Sequence, residues 1–401
     1  MMIATGTNAV LGFVFWIIVA RFYPAEDVGL ASAAIAATGL LALFSYLGLG
    51  AGLIRFLPGS GKDANSMINT AFTVGLLASL LAISIFVAGL GFWSPSLVFL
   101  RQDPLYLIVF FIFSIIFTLS QLVDNTLIAG RRANYVLARS LVFGILRLIL
   151  PVILVVFFDF FGIFSSWGIS LVVAFLLSIL LFLPRAQPGY RLSFALNRKV
   201  LSDMLNFSAA NYVAGLLWSA PVMVLPILVV NLLGAELNAY FYIAWSVSSV
   251  LAMVPTAAST SLFTEGSHEE ENLRPNIWRS LKMVFVILVP AVILVLVLAD
   301  RLLLLFGSDY SENATTLLRI LTASTLPLAV NLIYLGIIRV EKKLKTLICL
   351  SIFAAVVTLV LSYVLLPRMG INGAGIAWLA SNGGITLWIV AGWIKAITSA
   401  V

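Results

Sequence analysis

The sequence contains little of the side-chain chemistry on which many enzymes and metal sites depend. Its 401 residues include one cysteine, Cys349, and one histidine, His268. A single cysteine forms no intrachain disulfide. Zinc clusters, His-based metal sites and Ser-His-Asp catalysis need histidines or several thiols. We therefore expect no metal site, no cofactor and no Ser-His-Asp catalytic triad.

Charged residues are also scarce, at 10% of the chain, against about 25% in typical soluble domains, whose surface faces water. The net charge is nevertheless +7. The basic residues form no run of about five or six, the length typical of a charged interaction tail, so we expect no nucleic-acid partner. The excess is instead typical of the loop charges that orient a membrane protein.

Long apolar segments are what the sequence has in abundance. Hydrophobic residues make up 62% of the chain and the mean hydropathy is +1.14. Crossing the hydrocarbon core takes about 20 apolar residues in a helix. The sequence therefore predicts an all-α integral membrane protein with about twelve transmembrane helices. The predicted spans are 3–20, 29–50, 66–90, 104–129, 135–158, 163–184, 205–233, 238–263, 277–299, 313–338, 344–366 and 373–396.

The distribution of Lys and Arg between alternate loops orients these spans. With the N-terminus in the cytoplasm, 17 of the 23 Lys and Arg residues lie on the cytoplasmic side and 4 on the outer side. Cytoplasmic loops carry such an excess. We therefore predict a multi-pass protein of the cell (cytoplasmic) membrane with both termini in the cytoplasm. The remaining two basic residues, Arg147 and Arg319, fall inside predicted spans.

The two halves of the chain match weakly when the sequence is shifted by about 210 residues. Pro24–Asp27, after the first span, then aligns with Gly234–Leu237, after the seventh, and two further turns match in nearly the same register. This pattern predicts two parallel six-helix lobes, residues 1–184 and 204–401, joined by a cytoplasmic linker, residues 185–203. Repeats of this kind are typical of carriers that work by alternating access.

Three segments of the sequence resemble a known family. Residues 18–30 (IVARFYPAEDVGL) and 47–58 (LGLGAGLIRFLP) resemble the first turn of polysaccharide exporters and O-antigen-type flippases and its continuation. Residues 369–375 (MGINGAG) resemble the turn before the last helix of these proteins. The family belongs to the multidrug/oligosaccharidyl-lipid/polysaccharide exporter superfamily, and the agreement in hydropathy extends over essentially the whole chain.

The resemblance implies a fold similar to the multidrug-extrusion (MATE-like) fold. It implies a flippase that moves a polyprenyl-diphosphate-linked oligosaccharide from the inner to the outer leaflet during cell-surface polysaccharide assembly. The partners it implies are this substrate, membrane lipids, a polysaccharide polymerase and glycosyltransferases. Two alternatives stay open: a cation-coupled small-molecule or drug antiporter of the same superfamily, and a membrane glycosyltransferase or polysaccharide ligase.

Ionisable residues inside the spans are candidates for function, because a charge in hydrocarbon costs about 3 kcal/mol or more. Arg147, in the fifth span, is a candidate diphosphate ligand, since a guanidinium matches phosphate oxygens with two parallel hydrogen bonds. The alternative is a structural pair with Asp124 at a similar depth in the fourth span. Asp124 is also a candidate for coupling transport to H⁺ or Na⁺, unless it only neutralises Arg147 or Arg139.

Further polar residues are candidate ligands of the head group and the sugars. Arg55 falls on the arginine that precedes Phe-Leu-Pro in the family, which implies first capture of the head group, but it also fits an ordinary interface arginine. Arg319 lies near the outer end of the tenth span, where snorkelling outward is the competing interpretation. Three uncharged residues inside spans are candidate sugar ligands or helix–helix contacts: Asn211, Tyr212 and Asn331.

Prolines and glycines mark two further features of the spans. Pro221 and Pro226 in the seventh span are candidate bending points for gating, or fixed kinks that membrane helices tolerate. The alternating glycines Gly48, Gly50 and Gly52 predict close helix contact rather than a phosphate-binding loop.

Overall fold

The computed structural model describes residues 2–266, 273–341 and 343–398, so His268 lies outside the described residues. Twelve long helices dominate the described chain. They are α1 (Met2–Phe22), α2 (Ala25–Ser45), α3 (Ala64–Ala88), α4 (Pro104–Ala129), α5 (Ala133–Leu154), α6 (Phe160–Leu177, continued through a π-turn, Ser178–Phe182, to Ala186), α7 (Arg198–Leu233), α8 (Ala235–Gly266), α9 (Leu273–Leu304), α10 (Ser308–Val340), α11 (Leu344–Met369) and α12 (Asn372–Thr398).

Each of these helices overlaps one of the twelve predicted spans. In the described residues, eleven helices are long and apolar enough to cross a membrane, and α1 contributes a shorter apolar segment, Gly6–Phe22. The prediction of an all-α membrane protein with about twelve spans is therefore confirmed.

The second predicted span, 29–50, is wrong at its C-terminal end. Helix α2 stops at Ser45, and a separate short helix, Leu49–Phe56, follows. Between them Leu47 and Gly48 adopt left-handed backbone conformations, with φ of 50° and 72°. A left-handed residue ends the helical hydrogen-bond ladder. The chain therefore turns one helical turn earlier than hydropathy alone indicates.

The glycines around this break allow close contact with α7. A Cβ atom at Gly48 would lie 2.9 Å from the Cβ of Tyr212, and one at Gly52 would lie 2.8 Å from the Cβ of Met204. One at Gly50 would overlap a tyrosine hydroxyl. The predicted role of these glycines in close helix contact is confirmed.

The segment predicted as a linker, residues 185–203, lies along the N-terminal part of α3. The Tyr190 hydroxyl donates to Asn69 Oδ1 at 3.0 Å. The amide of Asn69 donates to the carbonyl oxygen of Arg191 at 2.8 Å and to Ser193 Oγ at 2.9 Å. Burial raises the pKa of the Tyr190 phenol, because the charged form loses its hydration. The segment is therefore fixed by a buried asparagine on α3.

The chain divides into two compact units. The first consists of Met1–Leu216 with Gly234–Glu236, and the second of Leu217–Leu233 with Leu237–Val401. The division falls inside α7, which continues as one helix through Pro221 and Pro226. The predicted lobe limits and the gating role of the two prolines stay predictions.

Each unit has a core of its own. In the first unit the core surrounds the short helix and joins it to α3, α4 and α7, through buried residues that include Leu49, Leu53, Ile68, Leu122 and Met204. In the second unit the core joins α8, α9 and α10, through buried residues that include Leu262, Val284, Leu288, Ala329 and Ile333.

Candidate functional site

The acidic candidate in the first unit forms an ion pair with an arginine of the neighbouring helix. Arg139 Nε donates to Asp124 Oδ1 at 2.7 Å, and Arg139 Nη2 pairs with Asp124 Oδ2. The two side chains are only 12% and 21% exposed, respectively. This two-point geometry is the strongest arrangement open to a carboxylate and a guanidinium. The interpretation in which Asp124 pairs with Arg147 is therefore wrong: its partner is Arg139.

Arg147 lies at the contact between α5 and α1. Its side chain is 9% exposed, which makes it the one charged residue that is fully buried among the described side chains. Its Nη2 donates to the carbonyl oxygen of Asn8 at 2.9 Å. The guanidinium carbon lies 4.7 Å from the ring centre of Phe143 and 5.8 Å from that of Phe15. These three contacts are all with neutral groups.

The sequence of α1 explains how the cation is accommodated. Asn8, Gly12 and Phe15 are spaced along one face of α1, which packs on α5. A Cβ atom at Gly12 would lie 3.1 Å from Arg147 Nη2, so the glycine leaves room for the guanidinium. The Asn8 amide also donates to Ser140 Oγ at 3.3 Å. The site is thus an arginine on α5 held by backbone and ring faces.

A buried guanidinium such as that of Arg147 can bind both neutral groups and anions. A peptide carbonyl and aromatic faces stabilise a buried guanidinium, the faces through cation–π attraction of about 0.5–2 kcal/mol. An anionic oxygen makes hydrogen bonds roughly twice as strong as neutral ones, and a phosphate accepts two of them in parallel. The guanidinium of Arg147 is therefore chemically suited to bind a phosphate group.

Three other candidates lie near the break after α2. Arg55 is exposed on the short helix, and Asn211 is exposed on α7. The Tyr212 hydroxyl lies 3.1 Å from the carbonyl oxygen of Leu43 and 3.0 Å from that of Phe44. These are carbonyls at the end of α2, whose helical partners would come from the residues at the break. Tyr212 therefore caps a helix end, while Arg55 and Asn211 are accessible.

Asn331, in the second unit, belongs to a buried amide network. Its side-chain amide donates to the carbonyl oxygen of Asn382 at 3.0 Å and to Asn382 Oδ1 at 3.1 Å. Thr386 Oγ1 lies 2.9 Å from Asn331 Oδ1 and 3.0 Å from the carbonyl oxygen of Pro327. This network holds α10 and α12 together, and Asn331, which is 0% exposed, is fully engaged in it.

Arg319 is exposed on α10 and reaches α9. Its Nε donates to the carbonyl oxygen of Leu296 at 3.2 Å. Helix α9 has non-helical backbone angles close by, at Leu298 (φ −98°, ψ 15°). Arg319 thus binds a backbone carbonyl beside a kink. Arg319 belongs to the second unit and Arg147 to the first.

Reasoning from the sequence missed a cluster of aromatic residues in the second unit. Trp218, Trp245 and Trp378 come from three different helices and line one pocket. The signal available in the sequence was the spacing of Trp245, Ser248 and Thr256, which places them on one face of α8. That spacing marks a shared face, but it does not tell which other helices complete the wall.

Comparison with known families and proteins gives concordant results. The family described as polysaccharide biosynthesis protein matches residues 1–263, and the MatE family matches residues 213–364. The protein named "Putative O-antigen transporter" from Shigella flexneri is 27% identical over 164 residues. That match covers 40% of this chain and 39% of the Shigella protein.

Solved structures show the same fold. An inward-facing multidrug resistance MATE family transporter of the MOP superfamily has a TM-score of 0.74 at 17% identity, over 98% of this chain and 95% of that one. The lipid II flippase MurJ, in an inward closed conformation, has a TM-score of 0.77 at 14% identity, over 98% and 86% of the two chains. The predicted MATE-like fold is confirmed.

The named relatives are a transporter family member, an O-antigen transporter and a flippase, and this chain shares the multi-pass helical fold of the two solved structures. The match to residues 1–263 extends over well more than half of the 401 residues. The chain therefore belongs to the polysaccharide biosynthesis protein family.

Proposed function

We propose that this protein is a flippase that moves a polyprenyl-diphosphate-linked oligosaccharide from the inner to the outer leaflet by alternating access. The observation that carries the proposal is the buried guanidinium of Arg147 inside a membrane-spanning helix. Moving a diphosphate through the membrane interior requires a cation there, and cations at that depth are expensive to keep. A lipophilic cation, in contrast, would be repelled by this residue.

The named relatives support the same class of substrate. The Shigella protein is named for O-antigen transport and MurJ for flipping lipid II. The substrate of this chain, its partner polymerase and the glycosyltransferases that would supply it belong to the proposal. So does the orientation, with both termini in the cytoplasm, which is supported by the excess of basic residues on that side.

The other candidate residues take separate roles in this proposal. Arg147 binds the diphosphate, and Arg55, exposed on the short helix, captures it first. Asp124 is the coupling residue for H⁺ or Na⁺, and since Arg139 already neutralises it, an incoming ion competes with Arg139. Ion binding would then release a second cation inside the first unit.

Reconstituted vesicles test the proposal directly. A polyprenyl diphosphate bearing a trisaccharide is placed in one leaflet, and a membrane-impermeant glycosidase measures its arrival in the other. We expect delivery to depend on the protein, to fall at least about tenfold in Arg147→Ala, and to be partly retained in Arg147→Lys, which keeps the charge without the planar fork.

Arg301→Ala is the matched control, because its side chain is 76% exposed and its removal leaves an interior cation in place. Delivery that is independent of the protein, or unchanged in folded Arg147→Ala, contradicts the proposal. Uptake of a cationic dye driven by an ion gradient, without movement of the glycolipid, assigns the protein to the drug antiporters instead.

A further inference from the structure

A pocket of about 200 Å³ lies entirely within the second unit. Residues of α7, α8, α10 and α12 form its walls, and those that matter here are Trp218, Trp245, Trp378, Ser248, Thr256 and Thr325. Its lining contains no charged residue. The pocket is therefore aromatic and hydroxylated but electrically neutral.

The indole rings give the pocket a firm apolar wall. Trp245 and Trp378 meet edge to face with ring centres 5.0 Å apart, and Trp245 packs on Phe241 at 5.7 Å. Trp378 is 8% exposed, whereas Trp218 is half-buried. Packing of this kind fixes the ring planes of Trp245 and Trp378.

The polar atoms of the pocket are suited to hydroxyl groups. Thr256 Oγ1 donates to the carbonyl oxygen of Ala252, and Thr325 Oγ1 donates to that of Thr322, both at 2.7 Å. Each hydroxyl already donates its hydrogen bond within its own helix, so its lone pairs are left as acceptors. Indole N–H groups are donors only. Together they match a ligand with many O–H groups.

We propose that this pocket binds one neutral sugar ring of the oligosaccharide. This assignment rests on the proposed function and specifies where a part of the glycan is bound. A pyranose has an apolar C–H face that packs on indole and a rim of hydroxyls that both donate and accept. A diphosphate would find no cation among the lining residues, and an organic cation would find no carboxylate. The volume holds a single ring rather than a whole oligosaccharide.

Equilibrium binding to the full chain in lipid nanodiscs tests this assignment with two probes. One is a polyprenyl diphosphate bearing a neutral trisaccharide, and the other is the same lipid without sugar. We expect Trp218→Leu to weaken binding of the glycosylated probe about tenfold, through loss of an aromatic contact, and to leave the sugar-free probe unchanged. Trp218→Phe keeps a ring and should restore most of the affinity.

Trp278→Leu is the matched control, since Trp278 lies outside the pocket on α9 and is 70% exposed. Equal weakening of both probes by Trp218→Leu overturns the proposal, because it shows an effect that is not specific to sugar. Unchanged binding of the glycosylated probe by Trp218→Leu also overturns it. So does a result in which Trp218→Leu loses binding of a cationic dye, used as a third probe, and of neither lipid. If the wild-type protein binds neither probe, the proposed function itself fails. If the wild type binds the probes and Trp218→Leu leaves this binding unchanged, only the assignment of the pocket is refuted.

Discussion

The interior of the first unit contains charge, whereas the described interior of the second contains amides, hydroxyls and indole rings. In the first, Asp124 and Arg139 form a nearly buried ion pair, and Arg147 is buried. In the second, Asn331 and Asn382 carry the buried polar contacts, and the pocket lining is neutral. Both interiors are built from membrane-crossing helices, so the difference lies in the side chains they carry.

This difference corresponds to the two chemical parts of the proposed substrate. A lipid-linked oligosaccharide has an anionic diphosphate and an uncharged or weakly charged glycan. A charged interior suits the first part and a neutral, aromatic one suits the second. The difference also predicts unequal changes in stability, because buried ion pairs and buried amides are expected to respond differently to substitution.

The largest expected effect comes from breaking the ion pair of the first unit. Asp124→Leu leaves Arg139 buried without its carboxylate, which should destabilise the protein by about 3 kcal/mol or more. Replacing both residues by leucine should cost much less, because no uncompensated charge remains. Thermal unfolding of the purified protein in detergent measures both changes.

Asp300→Leu is the control for this prediction. Its partner Arg301 is 76% exposed, and exposed pairs contribute roughly 0–1 kcal/mol. A single Asp124→Leu variant as stable as the wild type would show that the pair is not a structural element of the first unit.

An intermediate effect is expected at the break after α2. Gly48 has φ of 72°, and a Cβ there would lie 2.9 Å from the Cβ of Tyr212. Gly48→Ala should therefore cost about 1–3 kcal/mol through backbone strain and the displaced contact with α7. Gly61→Ala is the matched control, with φ of 52° and nothing within 4 Å of its Cβ position. Equal losses of stability in the two variants would attribute the effect to the backbone alone.

The smallest effect is expected in the amide network of the second unit. Asn331→Leu removes hydrogen bonds to Asn382 and Thr386, and such bonds between membrane helices average about 0.6 kcal/mol each. The loss of stability should therefore be about 1–2 kcal/mol, smaller than that of Asp124→Leu. A loss equal to or larger than that of Asp124→Leu would remove the distinction between the two interiors.

Much of the fold follows from the sequence, because hydropathy and loop charges act on whole segments. The twelve spans could be placed within a few residues, since each is long and apolar. The break at Leu47 could not, because Leu47–Gly50 is as apolar as the helix before it. Helix α2 ends there because of a tertiary contact, in which the Tyr212 hydroxyl binds the carbonyl oxygens of Leu43 and Phe44.

The partner of Asp124 is decided by the depth of each arginine along α5. Arg139 and Arg147 are eight residues apart on α5, about 12 Å along the helix. Asp124 lies five residues before the end of α4, and Arg139 lies six residues after the start of α5, so these two are level. The predicted spans end at 129 and begin at 135, within two residues of the observed helix ends, so counting residues from the turn already favours Arg139 over Arg147 as the partner.

The pocket of the second unit was beyond sequence reasoning for a different reason. Its tryptophans come from α7, α8 and α12, and periodicity reports the face of one helix but not its neighbours. Arg147 was found because a charge inside an apolar span is conspicuous in any sequence. Neutral sites in membrane proteins carry no such mark.

The central claim is that the interior of the first unit receives the diphosphate, and the affinity for a sugar-free polyprenyl diphosphate tests it most directly. The measurement compares wild type, Arg147→Gln and the exposed control Arg301→Ala in nanodiscs, with folding checked by size-exclusion chromatography. The account predicts a loss of at least about tenfold in Arg147→Gln, or about 1.4 kcal/mol, and none in the control. Equal affinity of folded Arg147→Gln and wild type would contradict it.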